Sequence, residues 1–552
     1  MDIQARELKL GAFRFSWFAL GLLLILLSGA LLRSKGLHSP LLDHPGWRQG
    51  DTASIARNFA HLKYNILYPQ TNYDGPPPNY VELELQIVPF LAATLYKIFG
   101  VHEIFGRLIS IGFSLGTIAI LALFARWLFA SEIAGLAAAL LFAVMPGSIY
   151  YGRTFMPDTA MVFFMTAALY AAARFLVEDE ALDRRRLARV TALLAAAFLA
   201  KPVSLAALVP IGAMVVDRVR SGRTIRASAI AVLAGVPLIL LYLYDRRVAA
   251  HAEWHWASGI VTLHVLPALR AALTSGGAFA LKLVQMRIVL GMFATTMLGP
   301  ACTALAVLGF IFLPRTVRSR SLLWGWLAGG LLYVYVVVTV ERVDYYMYPL
   351  LPLAALTGGA FLARLVDAVR SADVSKALKF AAAVAGAAAL VLVVRQNQAI
   401  IAPYYHYSKR VYRDAVALRA ALVPGTLVVM GHYDPSILYY IGHYGWEEDP
   451  YLWTPFDEES AIRKGARYFI AIEKNRFYHN IELCAWMQRF PVLDPKAQWP
   501  VYETFPAKIK PGARAQWRQF RIAERAGRAR AWLDAHGLCP VTAAVGAKPR
   551  PR

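Results

Sequence analysis

The sequence predicts a mainly α, polytopic membrane protein of about eleven transmembrane helices that ends in an extracytoplasmic α/β domain. Three observations carry this. Of 552 residues, 58% are hydrophobic and 17% charged, against about 45–50% apolar and about 25% charged in soluble proteins. The apolar residues fall in blocks of roughly 18–25, long enough to cross a hydrocarbon core of about 30 Å. After residue 394 this grammar stops and short strand-like runs begin. Barrel strands alternate and these blocks do not, which excludes a barrel. The net charge of +23 does not indicate nucleic acid. Many of the basic residues sit in short loops between spans, and no separate basic domain with interleaved aromatics is present.

Taken in order, the first span covers 14–33, behind Arg6 and Lys9. No small-residue cleavage site follows it, so it reads as a retained helix rather than a signal peptide. The next spans are 105–129, 132–150, 157–177, 187–200, 203–217 and 227–244. A longer loop follows, then spans at 288–313, 321–340, 345–363 and 378–394. Loops 126–132, 174–189, 217–226, 314–320 and 364–379 carry seventeen arginines and lysines. Arg153, Lys201 and Arg342 stand in the short loops between them. By the positive-inside rule the first set is cytoplasmic. The first loop and the C-terminal residues then lie outside, which in a bacterium is the periplasm.

The division is therefore 1–394, a membrane domain with a first outer loop at 34–104, and 395–552, an α/β domain. In the latter, GTLVVMG (425–431) and ARYFIAI (466–472) read as strands and DPSILYYIG (434–442) as a capped helix. A basic amphipathic helix is expected near 515–535, and the final AKPRPR is expected to be disordered. Cys484 and Cys539 are either bonded or free thiols, since their spacing decides neither.

The first loop is polar, aromatic and proline-rich. Residues 51–64 have helical spacing at Ile55, Phe59 and Leu62, with Asp51 or Thr52 as the cap. Residues 83–99 are apolar but interrupted by Glu84, Gln86 and Pro89, and read as a helix at the interface. Ionisable residues at membrane depth cost roughly 2.5–3.5 kcal/mol each and are functional candidates by default. The outer side receives Asp51, Glu84 and Asp158 as acids, and Arg48, Arg153 and Lys201 as cations, with Arg342 a further candidate. Helix caps would account for Asp51 and Asp158, and a snorkelling side chain for Lys201. Cations with a few carboxylates suit an anionic, lipid-borne substrate that exchanges a proton. Tyr345 and Tyr346 stand at the outer end of the 345–363 span and suit a lipid groove or an aromatic belt.

WRQGDTASIARNF (47–59) resembles the first-loop motif of bacterial protein O-mannosyltransferase-like glycosyltransferases of the GT-C superfamily. Their relatives include the dolichyl-phosphate-mannose protein mannosyltransferases and the lipid A aminoarabinose transferases. The resemblance continues through 80–100, 106–117, YYGRTFMPDTAMVFF (150–164) and DYYMYPLLPLAAL (344–356). It departs at Val343, where the family often has histidine, and at Leu85-Gln86, where Phe-Pro is usual. It implies a polyprenyl-phosphate sugar donor, inversion at the anomeric carbon, and an acceptor that is a lipid, a glycan or a protein. It also implies Asp51 as catalytic residue, with Glu84 and Asp158 as the accompanying acids. No cofactor is required. A divalent metal between Asp51 and Asp158 is permitted, but no ligand spacing demands one. A neighbouring reading is a glycan polymerase or ligase. A transporter would need ionisable groups or broken helices at mid-bilayer, often in paired halves, and neither is legible here.

Overall fold

The computed structural model of the chain describes residues 7–10, 13–179, 182–252, 260–494, 498–505 and 509–540. It forms two compact units. One contains residues 1–39, 59–69 and 81–406, and the other residues 40–58, 70–80 and 407–552. Two pieces of the first loop therefore pack with the C-terminal residues.

The first unit is a bundle of apolar helices. A short hairpin, β1 (Glu7–Leu10) and β2 (Phe13–Ser16), leads into α1 (Trp17–Arg33). The first loop contains α2 (Gly46–His61) and α3 (Ile87–Phe99). The bundle continues with α4 (Glu103–Phe129), α5 (Glu132–Val144), α6 (Pro146–Tyr151), α7 (Asp158–Val177) and α8 (Arg184–Ala200). Among the described residues, eight helices are long and apolar enough to cross a membrane, including Glu103–Phe129, Asp158–Val177, Arg320–Glu341 and Asp344–Ser371. Shorter apolar helices such as Trp17–Arg33 and Glu132–Val144 accompany them. The chain is a multi-pass membrane protein. Small residues let its helices approach closely. A Cβ on Gly309 would lie 2.0 Å from Thr357 O, and one on Gly359 would lie 2.6 Å from Ala138 N.

The two ends of the bundle are chemically distinct. Helices that start at the basic end are capped by Ser16, Ser131, Asp183, Ser319 and Ser375, each accepting from a first-turn N–H. Several that start at the other end open on prolines, among them Pro146, Pro202 and Pro300. The basic loops meet one another. Arg318 bonds Leu128 O through its N–H at 3.0 Å and approaches Glu178 at 3.2 Å. Arg218 donates to Leu176 O at 2.8 Å, and Ser321 to Asp217 at 3.0 Å. Arg364 donates to Phe312 O. The loops that charge alone assigned to one side thus share one end.

Several boundaries differ from expectation. The span expected at 288–313 is two pieces. Gly276–Met292 continues as a π-helix to Leu298, and Pro300–Ile311 follows. Gly299 between them has φ 78°, which no helix interior accepts. The stretch between 244 and 288, expected to be a loop, is helical at Ile260–Thr274 and again from Gly276, and the span expected at 227–244 continues to Ala249. Pro146 ends the span expected at 132–150 near its last turn. Asp51 is not a cap, because α2 begins at Gly46 and places it inside the helix.

The second unit holds a four-stranded sheet of β3 (Leu427–Met430), β4 (Tyr444–Glu447), β5 (Ala466–Ile470) and β6 (Val501–Glu503). The strand order is β4-β3-β5-β6. β3 pairs in parallel with β4 and β5, and β6 runs antiparallel to β5. β4 and β6 were not legible in the sequence. Val429, Phe469, Phe477, Trp486, Tyr502 and Phe520 form the core. The expected 515–535 helix is two, Ala513–Arg525 and Ala529–Ala535, broken at Gly527 with φ 67°. Cys484 and Cys539 form a disulfide with their Cα atoms 6.1 Å apart. The final AKPRPR lies outside the described residues.

Candidate active site

In the first unit, the end away from the basic loops collects Asp158, Lys201, Arg153, Tyr345 and Tyr346. Lys201 closes α8 in extended conformation, where Pro202 starts a new turn. Its Nζ donates to Asp158 Oδ1 at 2.7 Å. Both side chains are buried, so neither is a snorkelling or solvated charge. The ammonium also faces the rings of Tyr345 and Tyr346, 5.1 and 4.7 Å from their centroids. Asp158 opens α7 but makes no capping bond. Its Oδ2 is buried without a hydrogen-bond partner among the described residues.

Arg153 is wholly buried. It donates to Gly36 O at 3.3 Å and stacks on Tyr150 and Tyr405, 4.8 and 4.6 Å from the ring centroids. Arg107 donates to the same carbonyl and to Ser39 O. The rings of Tyr150, Tyr151 and Tyr345 run in series, with centroids 5.4 and 6.2 Å apart, and link the surroundings of Arg153 to those of Lys201. Asp344 accepts from the Tyr345 N–H at 2.9 Å and from the Tyr404 hydroxyl. Sequence reasoning gave no role to Arg107, Asp344 or Tyr404. An ionisable residue inside an apolar run was the available signal for the first two. Glu84 is half-buried beside Tyr244. The next residue, Leu85, donates its N–H to Leu199 O at 2.8 Å, two residues from Lys201.

Asp51 and Arg48 belong to the second unit. Arg48 Nη1 lies 3.8 Å from Asp51 Oδ2 along one face of α2. A strap formed by residues 72–75 runs beside β4. Gly445 N–H donates to Asn72 O at 3.1 Å, and Gly75 N–H to Gly445 O at 2.8 Å. Asn58 ties α2 to this strap through Gln70 O and Thr71 O, at 2.8 and 3.1 Å, and accepts from the Tyr444 hydroxyl at 2.7 Å. Asp51 is 2% exposed, and its Oδ1 has no hydrogen-bond partner among the described residues. Burial pushes its carboxyl up to about 7, with Asp434 and Asp74 adding to the rise and Arg48 and Tyr73 opposing it. Glu447, at the end of β4, is pushed well above the carboxylate range by burial and then by Asp51 and Asp74. Burial and Asp74 raise Glu448 to about 7. Acid-base groups are commonly tuned in this way. Among the described residues, no three His, Cys, Asp or Glu side chains group as metal ligands would.

The fold and these groups define a membrane protein with buried cations among tyrosines and a carboxyl of raised proton affinity. Residues 86–244 match the family model described as dolichyl-phosphate-mannose-protein mannosyltransferase. ArnT from Cupriavidus metallidurans bound to undecaprenyl phosphate has a similar structure. It is 15% identical with a TM-score of 0.54, over 90% of this chain and 99% of that one. ArnT from the same organism in the apo state gives 15% identity and a TM-score of 0.49, over 82% and 92%. The arabinofuranosyltransferase AftD from Mycobacteria gives 15% and 0.49, over 84% of this chain and 38% of that one. No curated protein sequence matches. The fold is the GT-C fold, that of a superfamily of membrane glycosyltransferases, and the resemblance read from the sequence holds at that level.

Proposed function

We propose that the chain moves a sugar from a polyprenyl-phosphate donor to a lipid, glycan or protein acceptor outside the cytoplasm, with inversion. One observation carries the reading. In a GT-C bundle, away from the basic loops, a buried lysine is held between Asp158 and two tyrosine rings. A polyprenyl phosphate is already a good leaving group, so the reaction needs no general acid. It needs cations for the departing phosphate, a role given to Lys201 and Arg153. Asp158 holds the Lys201 ammonium in place, and Tyr345 and Tyr346 flank the lipid. Asp51 takes the proton of an acceptor hydroxyl, with Arg48 orienting it; its carboxyl near 7 suits that task. For a phosphate acceptor, Asp51 orients rather than deprotonates. Glu84 is taken as the accompanying acid that the resemblance implies. The undecaprenyl phosphate bound to the related ArnT supports the donor class.

The bacterial inner membrane is the proposed location, with the active side periplasmic. The positive-inside rule and the Cys484–Cys539 disulfide both support it. The test uses purified protein in nanodiscs with a defined polyprenyl-phosphate sugar, measuring transfer and donor binding in parallel. Lys201→Ala should lose donor binding first. Unchanged donor binding in a folded Lys201→Ala protein would overturn the phosphate assignment. Mass spectrometry of envelope lipids from cells lacking the protein should show accumulated donor and a missing sugar.

A further inference from the structure

Gly46 and Gly50 stand four residues apart on α2 and share one face. The turn Asp434–Ser436, which starts the helix Pro435–Ile441, rests on that face. A Cβ at Gly50 would fall 2.5 Å from Ser436 Cα, and one at Gly46 would fall 3.6 Å from Asp434 Oδ2. Both segments belong to the second unit. The turn is held in place. Asp434 Oδ1 accepts from the Ser436 N–H at 2.9 Å and from its hydroxyl at 2.6 Å. Asp434 N–H donates to His432 Nδ1 at 2.9 Å, and His432 Nε2 lies 3.2 Å from Glu473 Oε1. The Asp434 carboxylate is thus fixed beside the helix that carries Asp51. The charged and titratable groups around Asp51 come from four segments. They are Arg48 on α2, Tyr73 and Asp74 on the strap, Asp434 on the turn, and Glu447 at the end of β4.

We propose that Asp434 is a positioning residue for Asp51: seated on the glycine face of α2, its fixed negative charge strengthens Asp51 as a base. This rests on the reading of Asp51 as the base. A like charge nearby disfavours the ionised carboxyl, so a proton taken from the acceptor is held more firmly. Two neighbours act the other way, since Arg48 and Tyr73 favour the carboxylate. The two glycines explain how Asp434 reaches its place, because any side chain at position 50 would drive the turn away.

The test is Asp434→Asn in the full-length protein, with the pH dependence of kcat/KM for sugar transfer and the melting temperature as readouts. Asn caps a helix about as well as Asp, so the turn should persist. The melting temperature should change little. The acid limb of the pH profile should move to lower pH by roughly half a unit or more. Asp434→Ser also keeps a capping oxygen, and it replaces the Asn variant if that one fails to fold. An unmoved acid limb in a folded variant would overturn the proposal. Asp51→Asn, assayed alongside, separates the two ideas. If it is inactive while the Asp434→Asn limb stays put, only the role of Asp434 falls. If Asp51→Asn transfers sugar normally, the base assignment falls and this proposal falls with it.

Discussion

Lys201 donates to Asp158 at 2.7 Å with both side chains buried. A buried pair tolerates the loss of both charges better than the loss of one, because the survivor is left uncompensated. Lys201→Ala or Asp158→Asn should each destabilise the bundle, by about 3–5 kcal/mol where a full charge is stranded. The double variant Lys201→Met/Asp158→Leu should recover most of the melting temperature in nanodiscs and still fail to bind donor. Donor binding by the double variant would show that the pair is only a packing device.

Asp51→Asn keeps the size of the side chain and sits inside α2 rather than at its cap. Expression and donor binding should be normal. Turnover should fall by roughly two to four orders of magnitude, the usual weight of a positioned base. Steady-state transfer at saturating donor measures this directly.

Asp51 also makes stability depend on pH. Its folded carboxyl, at about 7, lies above the unfolded value of about 3.9. The folded state therefore binds more protons between those limits, and the stability this gives is lost as pH rises from about 4 to about 7. Chemical denaturation followed at pH 5 and pH 8 should show that loss in the wild type. The slope should be smaller in Asp51→Asn. Equal slopes would mean that the carboxyl is not desolvated.

The C-terminal strands share their unit with residues 40–58 and 70–80. A fragment of 407–540 lacks the strap that pairs with Gly445 and the Asn58 that accepts from Tyr444. It should unfold at lower temperature and with less cooperativity than the same residues in the whole protein, as followed by circular dichroism. The Cys484–Cys539 link spans 55 residues. Its removal should cost the unit about 4 kcal/mol on loop-closure grounds. A thiol-labelling mass shift before and after reduction tests for the bond.

The membrane-protein class, the basic loops and the strands at 425–431 and 466–472 were legible in the sequence. Each depends on local composition or periodicity, which a single window of sequence contains. Asp51, Asp158 and Lys201 were legible as candidates because an ionisable residue beside an apolar run is costly wherever it is placed. What each of them touches was not. Whether Asp158 capped a helix or held Lys201 depended on where α7 and α8 meet. Whether Asp51 was a cap depended on α2 starting five residues earlier, at Gly46.

Other features came from packing alone. Gly46 and Gly50 look like ordinary turn residues until the Asp434–Ser436 turn fills the space they leave. The break at Gly299 becomes clear only beside Asn397, whose Oδ1 would lie 2.4 Å from a Cβ there. Arg107 and Arg153 meet at one carbonyl, Gly36 O, although each stands in its own stretch of sequence. Which segments are apolar, which loops are basic and which charged residues need an explanation can be read along the chain, because those properties belong to single residues and their near neighbours. Which charges are paired and which are buried follows from packing, because both depend on segments far apart in the chain being brought into contact and shielded from water.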